Sequence, residues 1–274
     1  QEMSPPIESH SSTSNLSNCS VSVLMSVYNG QRFLRQAVDS ILSQTLHNFE
    51  FIVVDDGSTD ETISILESYS DQRIRLIKQD HIGLTKSLQS GIKMARGDFL
   101  ARQDADDVSM PTRLEQQVNF LRNNPSILAT GSLCIEIDEE NNHMRLMDYP
   151  LKDEGCKERL AISSPIAHGS AMVRMEILRK VNGYRTIFRF GQDRDLWLRI
   201  SEHGKLSNIP EILYLWRRNP NGISENNRPE QKKMTDFALK LAVQRLHHGI
   251  DELGSDIKSQ HDTKTMVKHQ FYLG

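Results

Sequence analysis

The sequence predicts an α/β fold in which a mostly parallel central sheet carries helices on both faces and is joined to a smaller mixed region. Up to about residue 126, short β-branched runs alternate with amphipathic segments, and the links between them are short. Such alternation is typical of parallel strands joined by right-handed helical crossovers. The composition, 37% hydrophobic and 25% charged over 274 residues, is that of a globular chain long enough to bury a sizeable core.

The elements of the first half follow from their apolar patterns in order. "VSVLMSVYN" predicts a buried strand, and "QRFLRQAVDSILSQT" repeats its apolar residues at helical spacing. "FEFIVVDD" predicts the second strand, after which Ser58 and Glu61 predict a capping box at the start of a helix. "IRLIK", "GLTKSLQSGIKMA" and "DFLAR" continue the alternation, and "PTRLEQQVNFLRNN" predicts a helix with Pro111 in its first turn.

The chain divides into four segments. Residues 1–20 are rich in Ser, Pro and Asn and predict a disordered tail, and residues 21–126 form the doubly wound half. Residues 127–228 form a mixed half that opens with "ILATGSLCIEIDEENNHMRLMDYP", the pattern of a hairpin around "DEENN". Residues 229–274 predict a long helix and a polar tail.

Charge and cysteine content limit the possible partners. The net charge of −3 offers no basic field for nucleic acid. Cys19, Cys134 and Cys156 are widely spaced without a metal-binding pattern, which favours a reducing compartment. No apolar run approaches the roughly 18 to 20 residues of a membrane span. We therefore expect a cytoplasmic protein.

Polar residues follow three of the predicted parallel strands, at Ser26–Asn29, Asp55–Ser58 and Gln103–Asp107. In open parallel sheets, ligands bind beyond the carboxyl ends of the strands. "SVYNGQRF" after the first strand lacks the glycine fingerprint of dinucleotide enzymes, and the P-loop signature is absent as well. A diphosphate at this edge would need another source of positive charge, such as a cation held by carboxylates.

The stretch "ARQDADDVSMP" places Asp104, Asp106 and Asp107 at the end of a predicted strand. Mg²⁺ and Mn²⁺ prefer oxygen ligands and often combine one or two carboxylates with substrate phosphates. The position at a ligand-binding edge favours a metal site. The alternative is that Asp107 or Ser109 caps the helix that begins near Pro111.

Several ordered motifs together resemble family 2 glycosyltransferases, in particular bacterial enzymes that assemble surface polysaccharides. The motifs are "VSVLMSVYNG", "FEFIVVDDGSTDET", "GLTKSLQSGIKMARGDFLARQDADD", "MPTRLEQQV", "AHGSAMVRMEILRKVNGY" and "GQDRDLWLRI", spanning about residues 20 to 220. The resemblance implies the Rossmann-like A-type glycosyltransferase fold. It also implies inverting transfer of a sugar from a nucleoside-diphosphate donor, here a UDP-sugar, to a hydroxyl of a glycan or lipid-linked acceptor.

The same resemblance assigns roles on the donor side. Ser26 and Tyr28 would line the nucleoside pocket, Asp55 would orient its loop, and Asp56 would accept a hydrogen bond from the base. Uracil suits Asp56 because its N3–H is a donor.

Around the diphosphate, Asp104 would approach the ribose or donor sugar, and Asp106 would hold Mn²⁺ or Mg²⁺. Lys86 or Arg102 would add positive charge. His168 would face the donor or acceptor pocket, with a structural role as the alternative.

On the acceptor side, the resemblance makes Asp193 the general base, although Gln192 stands where relatives carry Glu. The alternative is that Asp193 caps its helix. Asp195 is expected to pair with Arg199, four residues on.

A second departure from the family lies after the last predicted strand. Asn219 stands where relatives often carry a His that reaches the metal or diphosphate. Arg217 and Arg218 precede it and are candidates to bind the diphosphate directly.

The C-terminal helix "PEQKKMTDFALKLAVQRLHHG" combines an apolar side with Lys232, Lys233, Lys240 and Arg245. Two interpretations stand: contact with an anionic membrane surface, or packing on the domain or a homodimer partner.

Two other functions compete with glycosyl transfer. A nucleotidyltransferase normally carries a Gly-rich basic loop after its first strand, which "SVYNGQRF" is not. A non-catalytic nucleotide-sugar-binding module would not need Asp193.

Overall fold

Strands and helices alternate through the first half of the chain in the computed structural model, as the apolar pattern predicts. The structure describes residues 19–219 and 228–254, so most of the predicted tail at 1–20 and the polar tail from residue 255 lie outside the described residues. The first-half elements are β1 Val21–Val27, α1 Leu34–Leu42, β2 Phe49–Asp55, α2 Thr62–Glu67, β3 Ile74–Lys78, α3 Leu84–Met94, β4 Phe99–Asp104, β5 Val108–Ser109 and α4 Arg113–Asn123.

The second half begins with the predicted hairpin, whose two strands pair antiparallel across the turn. Its elements are β6 Ile127–Ile137, β7 His143–Met147, α5 Asp153–Leu160, a 3₁₀ turn His168–Ser170, β8 Met172–Arg174, α6 Met175–Lys180, α7 Gln192–Ser201, β9 Lys205–Arg217 and α8 Arg228–His248. No helix in the described part of the chain combines the length and apolar character that a membrane crossing requires.

A single sheet runs through both halves. Within the described residues its nine strands follow the order β3-β2-β1-β4-β8-β6-β9-β5, with β7 paired to β6. β1, β2, β3 and β4 are mutually parallel, whereas β8 is antiparallel to both β4 and β6. The doubly wound half is therefore extended by mixed pairing, and β4, which ends in Asp104, lies inside the sheet.

Helices cover both faces of this sheet, which confirms the predicted fold class. Val23 and Met25 of β1 pack in one apolar cluster with α1 and α4. Leu24, between them, packs in a second cluster with α3, α7 and α8. This alternation is what a strand buried on both faces requires.

Two predicted helix starts are wrong in detail. Glu61 is the N-cap of α2, and Ser58 Oγ instead accepts the Asn29 N–H at 2.9 Å, so the capping box does not form. Pro111 lies one residue before the N-cap of α4, Thr112. Ser109 Oγ donates to Gln103 Oε1 at 2.6 Å, so Ser109 does not cap that helix.

The C-terminal helix ends earlier than predicted and packs on α7. α8 stops at His248, and Ala238 and Leu241 are fully buried against the second apolar cluster. Arg245, expected on a basic surface, is 1% exposed and ion-paired with Glu202, so it does not belong to a membrane-facing side. Packing on the domain is thus observed for this helix.

Candidate active site at the carboxyl ends of the parallel strands

The strand register brings the predicted polar strand ends to one edge of the sheet. Ser26 of β1 pairs with Asp104 of β4, and its neighbour Val27 pairs with Asp55 of β2. Tyr28, the next residue, is half-exposed and its ring lies 4.0 Å from that of His81, centroid to centroid. These side chains therefore surround one open edge.

Asp56 is almost completely buried and anchors the loop that follows β3. Its carboxylate accepts the N–H groups of Ile82 and Gly83, each at 2.9 Å, and the side-chain donors of Gln79 and Ser87 at 2.8 and 2.9 Å. Although burial opposes the charge, these hydrogen bonds hold the pKa of Asp56 below its ordinary value. Asp56 is therefore a charged acceptor whose bonds already hold a loop.

His81 supplies a further contact to Asp56 from the solvent side. Its Nδ1 lies 2.9 Å from Asp56 Oδ2, and its side chain is 55% exposed. Asp55, the preceding residue, accepts the Ser58 N–H at 3.2 Å through Oδ2 and so orients the loop after β2.

Asp104, Asp106 and Asp107 form what we term the acidic loop, and the surroundings of Asp106 and Asp107 disfavour their charged forms. Burial and the charge of Asp104 raise the pKa of Asp106 to about 6. Burial, together with the charges of Asp106 and Asp104, raises the pKa of Asp107 well above its ordinary range. Asp107 Oδ2 is buried and has no hydrogen-bond partner among the described residues. The acidic loop thus concentrates negative charge that its own surroundings do not fully neutralise.

Two buried arginines shape the acidic loop. Arg102, 1% exposed, donates to Asp104 Oδ1 and to the Leu24 carbonyl, each at 2.5 Å. Arg217, 2% exposed, donates from Nε to the Asp106 carbonyl at 2.7 Å, and its main-chain N–H donates to Asp107 Oδ1 at 2.7 Å. Buried in this way, neither guanidinium is open to a diphosphate, which corrects the expectation for Arg102 and Arg217. The bond from Arg217 also occupies Asp107, which does not cap α4.

Lys86, Arg218 and Asn219 remain at the surface or close to it. Lys86 is exposed in the first turn of α3, and Arg218 is exposed after β9. Asn219 Nδ2 lies 3.4 Å from Asp106 Oδ2, so Asn219 reaches the acidic loop.

Asp193 lies in the first turn of α7 and is held by a neighbour that the sequence did not indicate. Ser164 Oγ donates to Asp193 Oδ2 at 2.5 Å. The N-cap of α7 is Gly191, with φ of 65° in the left-handed region that favours glycine, so the interpretation of Asp193 as the cap is wrong. Its carboxylate is available for a role other than starting the helix.

His168 and Tyr184 form a pair beside the acidic loop, in which Tyr184 is buried and His168 is partly buried. The Tyr184 hydroxyl is 2.6 Å from His168 Nε2, and the charges of Asp104 and Asp193 act on both side chains. Burial and the neighbouring Arg102 lower the pKa of His168 to about 4. His168 is therefore neutral near pH 7, and the sequence carried no signal for its partner Tyr184.

The backbone beside His168 comes close to the acidic loop. A Cβ atom on Gly169 would lie 2.7 Å from Asp104 Oδ2 and 2.2 Å from the Tyr214 hydroxyl, so a side chain there would collide with both. The 3₁₀ turn that carries His168 thus packs directly on Asp104.

The donor set of the acidic loop fits a hard divalent cation that shares its ligands with a substrate. Within residues 19–219 and 228–254, no three His, Cys, Asp or Glu side chains are arranged as a complete metal site. Asp106, whose charged form is disfavoured, supplies carboxylate oxygen atoms, and Asn219 lies beside it with Nδ2 at 3.4 Å from Oδ2. Mg²⁺ and Mn²⁺ commonly take one or two carboxylates and complete their coordination with water and substrate phosphates.

Comparisons with known proteins point to one family. The model of the family described as "Glycosyl transferase family 2" matches residues 22–181. The chain is 38% identical over 201 residues to "Putative glycosyltransferase EpsE" of Bacillus subtilis (strain 168), with 71% of each chain covered. It is 26% identical over 232 residues to "Amylovoran biosynthesis glycosyltransferase AmsE" of Erwinia amylovora, covering 82% of this chain and 86% of that protein.

A solved structure shares the fold. Crystalline S. aureus TarS 1-349 in complex with UDP-GlcNAc matches with a TM-score of 0.68 and 15% identity, over 91% of this chain and 71% of that one. At that identity the likeness establishes the fold, which agrees with the architecture that the sequence predicts.

Proposed function

The chain belongs to glycosyl transferase family 2, and we propose that it transfers a sugar from a UDP-sugar to a hydroxyl of a glycan or lipid-linked acceptor, with inversion at the anomeric carbon. One observation carries the proposal: the register of β1, β2 and β4 brings Ser26, Asp55 and Asp104 to one edge of the sheet, where parallel sheets bind their ligands. Inversion needs a base on the face of the sugar opposite to the leaving diphosphate. Asp193 lies on α7 and not in the acidic loop, so it is a separate carboxylate for that role.

On the donor side, Ser26 and Tyr28 line the nucleoside pocket and Asp56 accepts a hydrogen bond from the base. The exposed His81 ring, which is tilted by 32° against Tyr28 and has Nδ1 near Asp56, is the contact that a base would replace. The uracil N3–H is a donor and would meet the same carboxylate oxygen. The UDP-GlcNAc complex of a protein with the same fold supports this choice of nucleotide.

The diphosphate lies at the acidic loop in this proposal. Asp106, with Asn219 beside it, would hold Mn²⁺ or Mg²⁺, whose charge stabilises the departing diphosphate. Asp104 approaches the ribose or the sugar, and the exposed Lys86 adds positive charge. Arg217 fixes the loop through the Asp106 carbonyl, so that the carboxylate is positioned before the donor arrives.

On the acceptor side, Asp193 takes the proton from the attacking hydroxyl as the new glycosidic bond forms and the bond to the diphosphate breaks. Ser164 holds Oδ2 of Asp193 and so limits the rotation of the carboxylate. Burial and Arg102 lower the pKa of His168 to about 4, so its neutral ring is a weaker proton acceptor than an ordinary imidazole.

A role in polysaccharide biosynthesis is supported by the similarity to AmsE, whose name places it in amylovoran biosynthesis. We infer that the reaction takes place in the cytoplasm, because Cys19, Cys134 and Cys156 are free thiols in the structure and a reducing compartment keeps them so.

A nucleotide panel tests the donor side. A ligand that binds the folded state raises the melting temperature, and a concentration of about 100 times Kd adds roughly 2.7 kcal/mol. We expect UDP with Mn²⁺ or Mg²⁺ to stabilise the protein more than UDP with EDTA or GDP with Mn²⁺. Equal stabilisation with EDTA would remove the cation from the proposal, and a preference for GDP would overturn the role of Asp56.

Asp193→Asn tests the acceptor side. The amide keeps the shape of the side chain but cannot take a proton, so turnover should fall by about 10²- to 10⁴-fold. Affinity for UDP, measured by calorimetry, should change by less than about 1 kcal/mol because the donor site is elsewhere. Transfer at the wild-type rate would mean that Asp193 is not the base.

A further inference from the structure

Five buried side chains and the partly buried Arg185, with alternating charges, join α7 to the C-terminal segment, and we term these six residues the charge ring. In contact order they are Arg199, Asp195, Arg185, Asp251, Arg245 and Glu202. Three positive and three negative charges balance within the ring. Arg199 and Asp195 lie on α7, and Arg185 lies in the loop before it. Arg245 lies near the end of α8, Asp251 just after it, and Glu202 is the C-cap residue of α7.

The first part of the ring fixes the start of α7 to the loop before it. Asp195 is fully buried and accepts both Nε and Nη2 of Arg199, at 3.0 and 2.9 Å. Its other oxygen accepts Nε of Arg185 at 3.1 Å. Asp195 lies two residues after Asp193 on the same turn, so whatever holds Asp195 also limits the movement of Asp193.

The second part brings in the C-terminal segment. Asp251, 5% exposed, accepts Nη1 of Arg185 at 2.7 Å and also pairs with Arg245. Arg245 of α8 in turn donates from Nε and Nη2 to Glu202 at 2.9 and 2.6 Å. Asp251 thus contacts both Arg185, which precedes α7, and Arg245, which pairs with Glu202, the C-cap residue of that helix.

α8 also contacts the residue at which α7 begins. A Cβ atom on Gly191 would lie 2.8 Å from Cγ2 of Thr235, so α8 lies directly over this glycine. Contacts of α8 therefore reach both ends of α7: Thr235 at Gly191 and Arg245 at Glu202.

We propose that residues 228–254 position the general base, with Arg245 and Asp251 as positioning residues that act on Asp193 through the charge ring. This inference rests on the proposed function, in which Asp193 is the base. The physical reason is that ion pairs from several elements fix a helix more rigidly than its own backbone bonds, and a base must be held within hydrogen-bond reach of the attacking hydroxyl. The ring lies at residues 185–251, beyond the 22–181 match to the family model.

Asp251→Asn tests the proposal, with Glu252→Gln as the matched control. Asn is similar in shape to Asp but leaves Arg185 and Arg245 without the charge that they share. Glu252 is the next residue and also ties this turn to α8, through Lys240 at 3.2 Å, but that pair is exposed. Hydrogen exchange of the α7 amides, calorimetric binding of UDP with Mn²⁺ and UDP release from UDP-GlcNAc are the readouts.

We expect Asp251→Asn to speed exchange in the first turn of α7 and to lower UDP release by about 10- to 100-fold, the loss typical of a misplaced catalytic group. UDP binding and the exchange of α1, on the donor side, should stay as in the wild type. Glu252→Gln should resemble the wild type in all three measurements.

Unchanged exchange of the α7 amides would overturn the proposal. Faster exchange of α1 and α7 alike would also overturn it, because it would indicate general destabilisation. Faster exchange of α7 with undiminished UDP release would overturn it as well. If Asp251→Asn does not fold, Arg245→Lys replaces it, because Lys keeps the charge but loses the paired bonds to Glu202. Undiminished UDP release in Asp193→Asn would show that Asp193 is not the base. That result is distinct from a failure of the charge ring to position α7, which the hydrogen-exchange measurements test by themselves.

Discussion

Two groups of carboxylates have different surroundings: those of the charge ring are buried, whereas in the acidic loop Asp107 is buried and Asp104 and Asp106 are partly exposed. In the charge ring, Asp195, Asp251 and Glu202 each lie against arginines. In the acidic loop, Arg102 pairs with Asp104, whereas the Arg217 guanidinium donates to the Asp106 backbone carbonyl and not to its carboxylate. The ring is therefore balanced from within, and the loop retains negative charge.

The difference separates a structural use of carboxylates from a functional one. Buried charges stabilise a fold only when partners compensate for the loss of water, and the ring supplies those partners. The acidic loop keeps the pKa of Asp106 raised by burial and by Asp104, which is unfavourable for folding and favourable for binding a cation. The same residue type thus carries opposite consequences in the two regions.

The largest effect should come from breaking the ring at Asp195. Asp195→Asn removes the carboxylate that Arg199 contacts and one of those that Arg185 contacts, and removal of one partner of a buried pair typically costs about 3–5 kcal/mol. Urea denaturation measures this loss. Asp148→Asn, whose side chain is 97% exposed, should change the free energy of unfolding very little. A loss no larger than that of Asp148→Asn would show that the ring does not hold the fold.

The next effect concerns activity and not stability. Asp106→Ala should lower turnover by about 10²- to 10³-fold, the size of loss seen when one electrostatic stabiliser is removed. The fold should survive because no buried partner loses its counter-charge. The cation-dependent rise in melting temperature with UDP should disappear. Glu140→Ala, at an exposed position, serves as the control; turnover at the wild-type rate in Asp106→Ala would reject the cation site.

A smaller effect of opposite sign is expected at Asp107. In EDTA at pH 7, Asp107→Asn should stabilise the fold by up to about 2 kcal/mol, because it removes a buried charge with an unpartnered oxygen beside two other carboxylates. The Asn oxygen can still accept the Arg217 N–H. A loss of stability would mean that Arg217 compensates for this charge as the arginines of the ring do, and the two regions would then be alike.

The two regions also differ in what could be predicted from sequence. The strand ends around the acidic loop follow from local apolar patterns, since β1, β2 and β4 are short, largely buried and followed by polar residues. In the ring, one contact was predictable, the pair of Asp195 and Arg199 at helical spacing, and it is confirmed. The other contacts join residues up to 66 positions apart, so periodicity carries no signal for them.

The same limit explains the errors within the site. Ser164 and Tyr184 reach their partners through tertiary contacts over 29 and 16 positions, and the motif that ends in Tyr184 does not indicate its contact with His168. Arg102 was expected to face the ligand because it precedes the acidic residues on a strand. Its burial depends on the side of β4 that the neighbouring β8 and the 3₁₀ turn cover, and single-strand patterns do not reveal that.

The smallest expected effect is on the pH dependence of stability, at His168. If the negative charge of the acidic loop dominated there, the pKa of His168 would be raised; instead burial and Arg102 lower it to about 4. A depressed pKa means that the unfolded state binds the proton more readily, so the stability due to neutral His168 is present above about pH 6.5 and is lost as the pH falls towards 4.

His168→Gln, which still accepts hydrogen bonds but does not titrate, should reduce the acid-induced loss of stability. The slope should differ from that of the wild type by at most about 1.4 kcal/mol per pH unit, the value for one proton. Urea denaturation between pH 4 and 7 in EDTA measures this difference. A wild type that became more stable than the variant on acidification would show that the charge of Asp104 and Asp193 prevails at His168, and the excess negative charge of the loop would then extend to the base.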